Sequence, residues 1–185
     1  MFNIKTILLS IAGATMMGAL TGCSFGWTTS YIYENGDKYT AGDREISEKI
    51  ENIDLDYLSG DVIISESNSD KITITETSKK ELSDLQRVHT WVDGGTLYIK
   101  CAASAKKLNL EAADNVNASV SSGNIAINTG SIKELTSKTS SGTSSYTLQN
   151  VPAISSLRAS SGDITINLPK DADLNAEFDV SSGNV

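Results

Sequence analysis

From Ile50 onward the chain is written in short runs of alternating apolar and polar residues. Ile53, Leu55 and Tyr57 alternate with Asp54, Asp56 and Leu58, and the alternation resumes after Gly60 through Val62 and Ile64. A period of two places one set of side chains on one face of a strand, so each run predicts a β-strand. Ile72-Thr73-Ile74-Thr75 and the runs Val88 to Val92 and Thr96 to Cys101 continue the pattern with many β-branched residues. Asp93-Gly94-Gly95 separates the last two runs, and a glycine pair tolerating positive φ between two β-rich runs predicts a hairpin. The region 50–107 is therefore expected to be antiparallel. Lys79 to Leu85 reads as a polar loop or short helix, Glu45 to Glu51 as a short turn or helix, and Ala102 to Lys107 as a break.

A second pattern overlies the first. Ser121-Ser122-Gly123-Asn124, Ser140-Ser141-Gly142-Thr143, Ser160-Ser161-Gly162-Asp163 and Ser181-Ser182-Gly183-Asn184 repeat one phrase, with a looser Leu58-Ser59-Gly60-Asp61 upstream. Gly123, Gly142, Gly162 and Gly183 fall at intervals of 19, 20 and 21 residues, and Gly60 precedes Gly123 by 63, three times 21. A fixed period near twenty is the mark of repeat architecture. Counted from each glycine, the apolar positions share one register: Leu55 and Tyr57, Ala118 and Val120, Leu157 and Ala159, Phe178 and Val180 precede it. Val62 and Ile64, Ile125 and Ile127, Ile164 and Ile166 follow it. The copy at Gly142 departs, with Ser137, Thr139 and Ser144 at inward positions and Leu135, Tyr146 and Leu148 supplying the bulk. Its hydroxyls need internal partners or ordered water.

Glycine at each corner permits a left-handed turn, the serines can bond turn backbone, and the Asx or Thr that follows can close it. One copy cannot bury its own apolar row, whereas stacked copies make a continuous core. The fold expected is all-β: a β-solenoid, right-handed β-helix-like, built of about 20-residue repeats with an N-terminal antiparallel hairpin region. The alternative is an antiparallel sandwich in which each Ser-Ser-Gly is a hairpin turn.

The first residues read as targeting rather than fold. Lys5 precedes an apolar run from Ile7 to Leu20, too short to span a bilayer, and the run ends in Leu20-Thr21-Gly22-Cys23. That tetrad resembles the bacterial lipobox, in which small residues precede a cysteine that receives diacylglycerol. The expected organisation is a lipoprotein signal peptide over 1–22, lipidated Cys23 and a tether over 23–49, and one domain over 50–185. Within that domain, a β region with the hairpin (50–107) precedes the repeat region (108–185), which is expected to be incomplete at Val185. Trp27, Tyr31, Tyr33 and Tyr39 lie among glycines in the tether, where they can sit at the membrane interface or on the domain.

Composition narrows the partners. The chain has 185 residues and a formal charge of -8, its charges dispersed rather than clustered, which argues against nucleic acid or anionic lipid as ligand. With Cys23 lipidated, Cys101 has no disulfide partner, and its phase with Leu97 and Ile99 makes it a small buried hydrophobe.

Leu58-Ser59-Gly60-Asp61-Val62, the hairpin Trp91 to Lys100 and the later Ser-Gly-Asp/Asn-Ile/Val repeats together resemble the DUF4097 family, over about Ile50 to Val185. The resemblance implies a right-handed β-helix-like stack of short strands and an extracytoplasmic setting in a bacterial envelope or in envelope stress. The family carries an adhesin label inferred from architecture, and it offers no active site to transfer.

Catalytic chemistry is not indicated. The one histidine, His89, stands beside the hairpin and far from any nucleophile elbow, and serines before glycine recur at every copy where a nucleophile would be singular. Asp61, Asn124, Asp163 and Asn184 offer hard oxygens of the kind calcium accepts, but Thr143 interrupts them and the calcium β-roll spacing is missing. They read as corner residues. Arg44, Arg87 and Arg158 are too scattered for a polysaccharide lyase. No catalytic residue, metal or cofactor is therefore assigned. The site residues are Cys23 for lipidation and Gly60, Gly123, Gly142, Gly162 and Gly183 as structural corners. The expected function is a non-enzymatic, lipid-anchored cell-surface module, an adhesin or binding scaffold for an unknown protein or glycan. The alternative is an envelope-stress sensory or regulatory accessory, with a glycan-active β-helix enzyme further off.

Overall fold

The computed structural model describes residues 33–65, 69, 71–101, 107–110, 114–130, 132–173 and 178–185. The stretch expected to be a signal peptide, with Cys23, lies outside them. Among the described residues the fold is all-β apart from two short 3-10 turns at Gly36–Lys38 and Asp84–Gln86. Its first strands are β1 (Thr40–Ala41), β2 (Arg44–Ile46), β3 (Asn52–Ser59), β4 (Asp61–Ser65) and β5 (Ile72–Glu76). The hairpin follows as β6 (His89–Asp93) and β7 (Thr96–Cys101), then β8 (Lys107–Leu110). The repeats supply β9 (Asn115–Ser122), β10 (Ile125–Thr129), β11 (Glu134–Ser141), β12 (Ser144–Leu148), β13 (Ile154–Ser161), β14 (Ile164–Asn167) and β15 (Phe178–Val180).

These strands form two sheets, ordered β1-β6-β7-β3-β9-β11-β13-β15 and β14-β12-β10-β4-β8-β5-β2. Each Ser-Gly corner with a strand on both sides joins a strand of the first sheet to one of the second, so it is not the hairpin turn of a sandwich. Neighbouring copies pair in parallel and in register: Leu55 with Ala118, Ala118 with Ser137, Ser137 with Leu157. On the second sheet Val62, Ile125, Ser144 and Ile164 align in the same way. The shared register follows from the shared alternation, because a slip of one residue would turn every apolar side chain outward. The inward rows of both sheets meet in a single core containing Ile53, Leu55, Tyr57, Val62, Ile64, Val116, Ile125, Ile127, Leu135 and Tyr146, all buried.

Two expectations change. No strand from the 63 residues between Gly60 and Gly123 is interposed between their two copies, since β3 and β9 are direct neighbours. The intervening chain instead returns as β7 and β8, which pair in parallel with β3 and β4 on the opposite side. Stacking order therefore differs from chain order, and the region 50–107 is mixed rather than antiparallel. The expected break at Ala102 to Lys107 gives way to β8 at Lys107. Among the described residues antiparallel pairing is confined to one end, where β6 pairs β7 and β1, and β5 pairs β8 and β2.

The second change concerns the tether. From Tyr33 onward the chain is part of the fold: β1 pairs β6, β2 pairs β5, and Ile46 and Ile50 are buried. Strands of two and three residues are too short to show a period, which is why the sequence reads as irregular there. Arg44–Ile46 is strand where a turn or helix is expected over 45–51.

Candidate functional site

The glycine corners share one backbone conformation. Gly60, Gly123, Gly142, Gly162 and Gly183 all have φ between +127° and +144°. A β-carbon on Gly123, Gly142, Gly162 or Gly183 would collide with the carbonyl of the preceding corner glycine. The column is tied by backbone bonds, Gly123 N donating to Ser141 O and Gly142 N to Ser161 O (2.9 and 3.0 Å). Asx side chains add a second tie. Asp61 Oδ1 accepts from Asn124 N and Nδ2 (2.9 and 2.8 Å), Asn124 Oδ1 accepts from Thr143 N (2.8 Å), and Asp163 Oδ1 accepts from Asn184 N and Nδ2 (2.8 and 3.1 Å). Such oxygens are already engaged in holding adjacent corners, and this is scaffold chemistry.

His89 is buried on β6 beneath the Tyr33 ring, centroids 5.8 Å apart, and burial lowers its pKa. Arg44 donates to Thr90 O on β6, whereas Arg158 stands on β13, several strands away. Cys101 is buried and packs near Tyr57, whose phenol is pushed far up in pKa by its burial. Around the Gly142 copy, Ser137, Thr139, Ser144 and Tyr146 are buried together. Thr139 and Ser144 hydroxyls bond at 2.7 Å, while Ser137 Oγ and Tyr146 OH close no hydrogen bond of normal geometry. The small inward side chains leave room for the Tyr146 ring.

The outward side of the eight-stranded sheet gathers polar and aromatic side chains in register. Register aligns Trp91, Tyr98, Asp54, Asn117 and Thr136 in one row across five strands. A parallel row holds Asp93, Thr96, Asn52, Asn115 and Glu134. At one end the aromatics assemble: Trp91 stacks on Tyr98 (5.1 Å, 24°), Tyr39 meets Trp91 at 5.7 Å, and Lys38 Nζ lies 4.6 Å from the Trp91 ring centre. Tyr39 has its pKa raised, by burial first and then by the charges of Asp54 and Asp56. Beside this shelf is an open groove of about 280 Å³, lined by Tyr98, Thr96, Asn52, Asp54, Asn115, Asn117, Glu134 and Thr136 among others. Its floor is an amide ladder, Asn115 Nδ2 donating to Asn52 Oδ1 (2.8 Å) and Asn117 Nδ2 to Asp54 Oδ1 (3.1 Å).

Residues 107–185 match the family model Toastrack DUF4097. The Toastrack match covers the repeat strands from β8 to the Gly183 corner; β3 and β4, which pair with β9 and β10, fall outside it. No curated protein and no solved structure matches the chain.

None of the groove residues stands out in the sequence. They are the polar half of each alternation, and their one signal is that Asn52 and Asn115, and Asp54 and Asn117, occupy equal positions relative to Gly60 and Gly123.

Proposed function

We propose that this protein is a non-enzymatic binding module, lipid-anchored through Cys23 on the extracytoplasmic side of a bacterial membrane. In this reading each corner, with its two strands, is one coil of a right-handed β-helix-like solenoid. The antiparallel strands β1, β2, β5 and β6 cap one end, as terminal repeats of solenoids must. The observation that carries it is the in-register pairing of β7, β3, β9, β11 and β13. Such pairing consumes the apolar residues inside and repeats the polar ones outside at strand spacing, about 4.8 Å, giving a rigid, wide face suited to recognition rather than turnover. Residues converging on a reacting atom are not needed for this, and a lipid on Cys23 would hold the face close to the envelope.

Two measurements on the full chain test the proposal. Cys23→Ala is expected to move the protein from the membrane to the soluble extracytoplasmic fraction; unchanged retention overturns the anchor. A photo-crosslinker at Asn117 is expected to capture envelope material in living cells, whereas one at Asn167, on the second sheet, captures far less. Equal or absent capture at both positions overturns the binding face.

A further inference from the structure

We infer that the groove between Tyr98 and Glu134 binds a saccharide chain that is uncharged or carries amino groups. The inference rests on the binding-module reading and names its ligand. Three features of the groove converge on it. The first is the aromatic shelf. Because β7 lies between β6 and β3, the stack puts Trp91 on one side of Tyr98, and Tyr98 itself lines the groove. Trp91 and Lys38 brace the ring from behind, so it is a rigid apolar wall against which the C–H face of a pyranose can pack.

The second feature is the floor. An asparagine side chain has two donors and an acceptor, and each ladder bond uses only one donor of Asn115 or Asn117. The remaining donors and acceptors, together with Asp54, Glu134 and Thr136, alternate over a surface one strand spacing apart. Vicinal hydroxyls, which donate and accept at once, match that alternation. A hydrocarbon or a flat aromatic ligand would leave these groups desolvated without partners.

The third feature is charge. The ionisable acids lining the groove are Asp54 and Glu134, and no lysine or arginine is among its lining residues. The nearby Lys100 pairs with Asp56 at 3.2 Å, and Lys38 is held at the Trp91 ring. A uronate or phosphate polymer would meet like charge, as would an anionic membrane, whereas neutral and amino sugars would not.

The test uses the detergent-solubilised full chain in a Trp27→Phe background, leaving Trp91 as the reporter of two tryptophans. The probes are tetramers of N-acetylglucosamine, glucosamine, glucose (β-1,4-linked) and galacturonate, plus phosphatidylglycerol-containing vesicles. The first three sugars are expected to shift Trp91 emission and to titrate calorimetrically, with galacturonate and vesicles silent. Asn117→Ala and Tyr98→Ala are expected to weaken binding about 10-fold or more, the loss of one good contact, with Asn167→Ala unchanged and all variants melting cooperatively. Should Tyr98→Ala fail to fold, Asn117→Ala alone decides. Binding of none of the uncharged or amino sugars, binding indifferent to Asn117→Ala, or a response to vesicles or galacturonate alone overturns the inference. Crosslinking at Asn117 to a protein partner, with no sugar bound, would overturn the ligand class while leaving the binding module standing.

Discussion

The carbonyl oxygen of Gly60 occupies the volume that a β-carbon on Gly123 would need. The two residues are 63 apart in sequence and are neighbours in one column of corners that continues through Gly142, Gly162 and Gly183. Glycine is required there twice over, by φ near +136° and by the close approach of the preceding corner.

Gly123→Ala should therefore destabilise strongly. Backbone strain contributes roughly 1–3 kcal/mol, and shifting the packed Gly60 carbonyl adds a comparable amount. Gly94→Ala is the control: its φ is also positive, +54°, but nothing lies within 4 Å of the added carbon, so the cost should stay near 1 kcal/mol. Denaturant unfolding of both variants measures the difference. Equal costs would contradict the stacked corner.

The buried hydroxyls around Tyr146 make an opposite prediction. Tyr146 OH faces the hydroxyls of Ser137 and Ser144 without closing a good hydrogen bond, and burial raises its pKa. Removing a buried polar atom that is poorly satisfied returns its desolvation cost, about 1 kcal/mol. Tyr146→Phe and Ser137→Ala should thus be neutral or mildly stabilising. Thr139→Val should instead lose about 1–2 kcal/mol, since it breaks the 2.7 Å bond to Ser144 and strands that hydroxyl. A loss of stability in Tyr146→Phe matching that of Thr139→Val would point to an ordered water completing the cluster.

The contrast between these sites explains what the sequence could convey. Alternation plus a glycine every twenty or so residues was enough for strands, corners and the polar interior of the Gly142 copy, because each is a local consequence of residue type. The place of β7 and β8 in the stack was not legible. Thr96 to Leu110 carries no Ser-Gly corner, so nothing in it advertises a partnership with β3 and β4 that closes only in three dimensions. Docking of residues 33–46 was hidden for a related reason: two- and three-residue strands have no period, and Tyr33 and Tyr39 are held by the distant His89 and Trp91. The groove was least legible of all. Its residues are ordinary outward-facing polars until pairing sets Asn52 beside Asn115 and Asp54 beside Asn117.

Two titrating groups on the antiparallel strands, buried His89 on β6 and half-buried Glu76 on β5, should leave opposite marks on stability against pH. Burial lowers the His89 pKa, with the Arg87 carbonyl and Asp84 opposing, so the folded state resists protonation more than the unfolded chain does. Its contribution is present above the ordinary histidine value, about 6.5, and is lost as pH falls through the depressed folded value. Glu76, raised by burial despite its bond from Val88 N (3.2 Å), works the other way. Its contribution is full below the ordinary carboxylate range and is lost as pH rises through the raised value. Melting temperatures should accordingly fall less on acidification in His89→Gln than in wild type, and Glu76→Gln should gain stability relative to wild type at neutral pH. Parallel curves for wild type and His89→Gln would remove the assignment.

The corner ladder has one gap, and filling it should stabilise the fold. Asp61 passes a bond to Asn124, and Asn124 to Thr143 N, but the Thr143 side chain has no carbonyl oxygen to offer the next corner at Asp163. Asp163 then restarts the ladder to Asn184. Thr143→Asn supplies the missing oxygen in the position that Asn124 and Asp163 use, without adding a like charge beside Asp163. A single exposed hydrogen bond of this type contributes about 0.5–1.5 kcal/mol, so the gain should be of that size. Asn124→Ala should lose at least as much, because it removes both the donor to Asp61 and the acceptor for Thr143 N. Chemical denaturation of the two single variants and their combination tests the chain of dependence. In the Asn124→Ala background Thr143→Asn should retain its gain, since the new bond lies on the Asp163 side; a gain that vanishes there would place the new contact toward Asn124 instead.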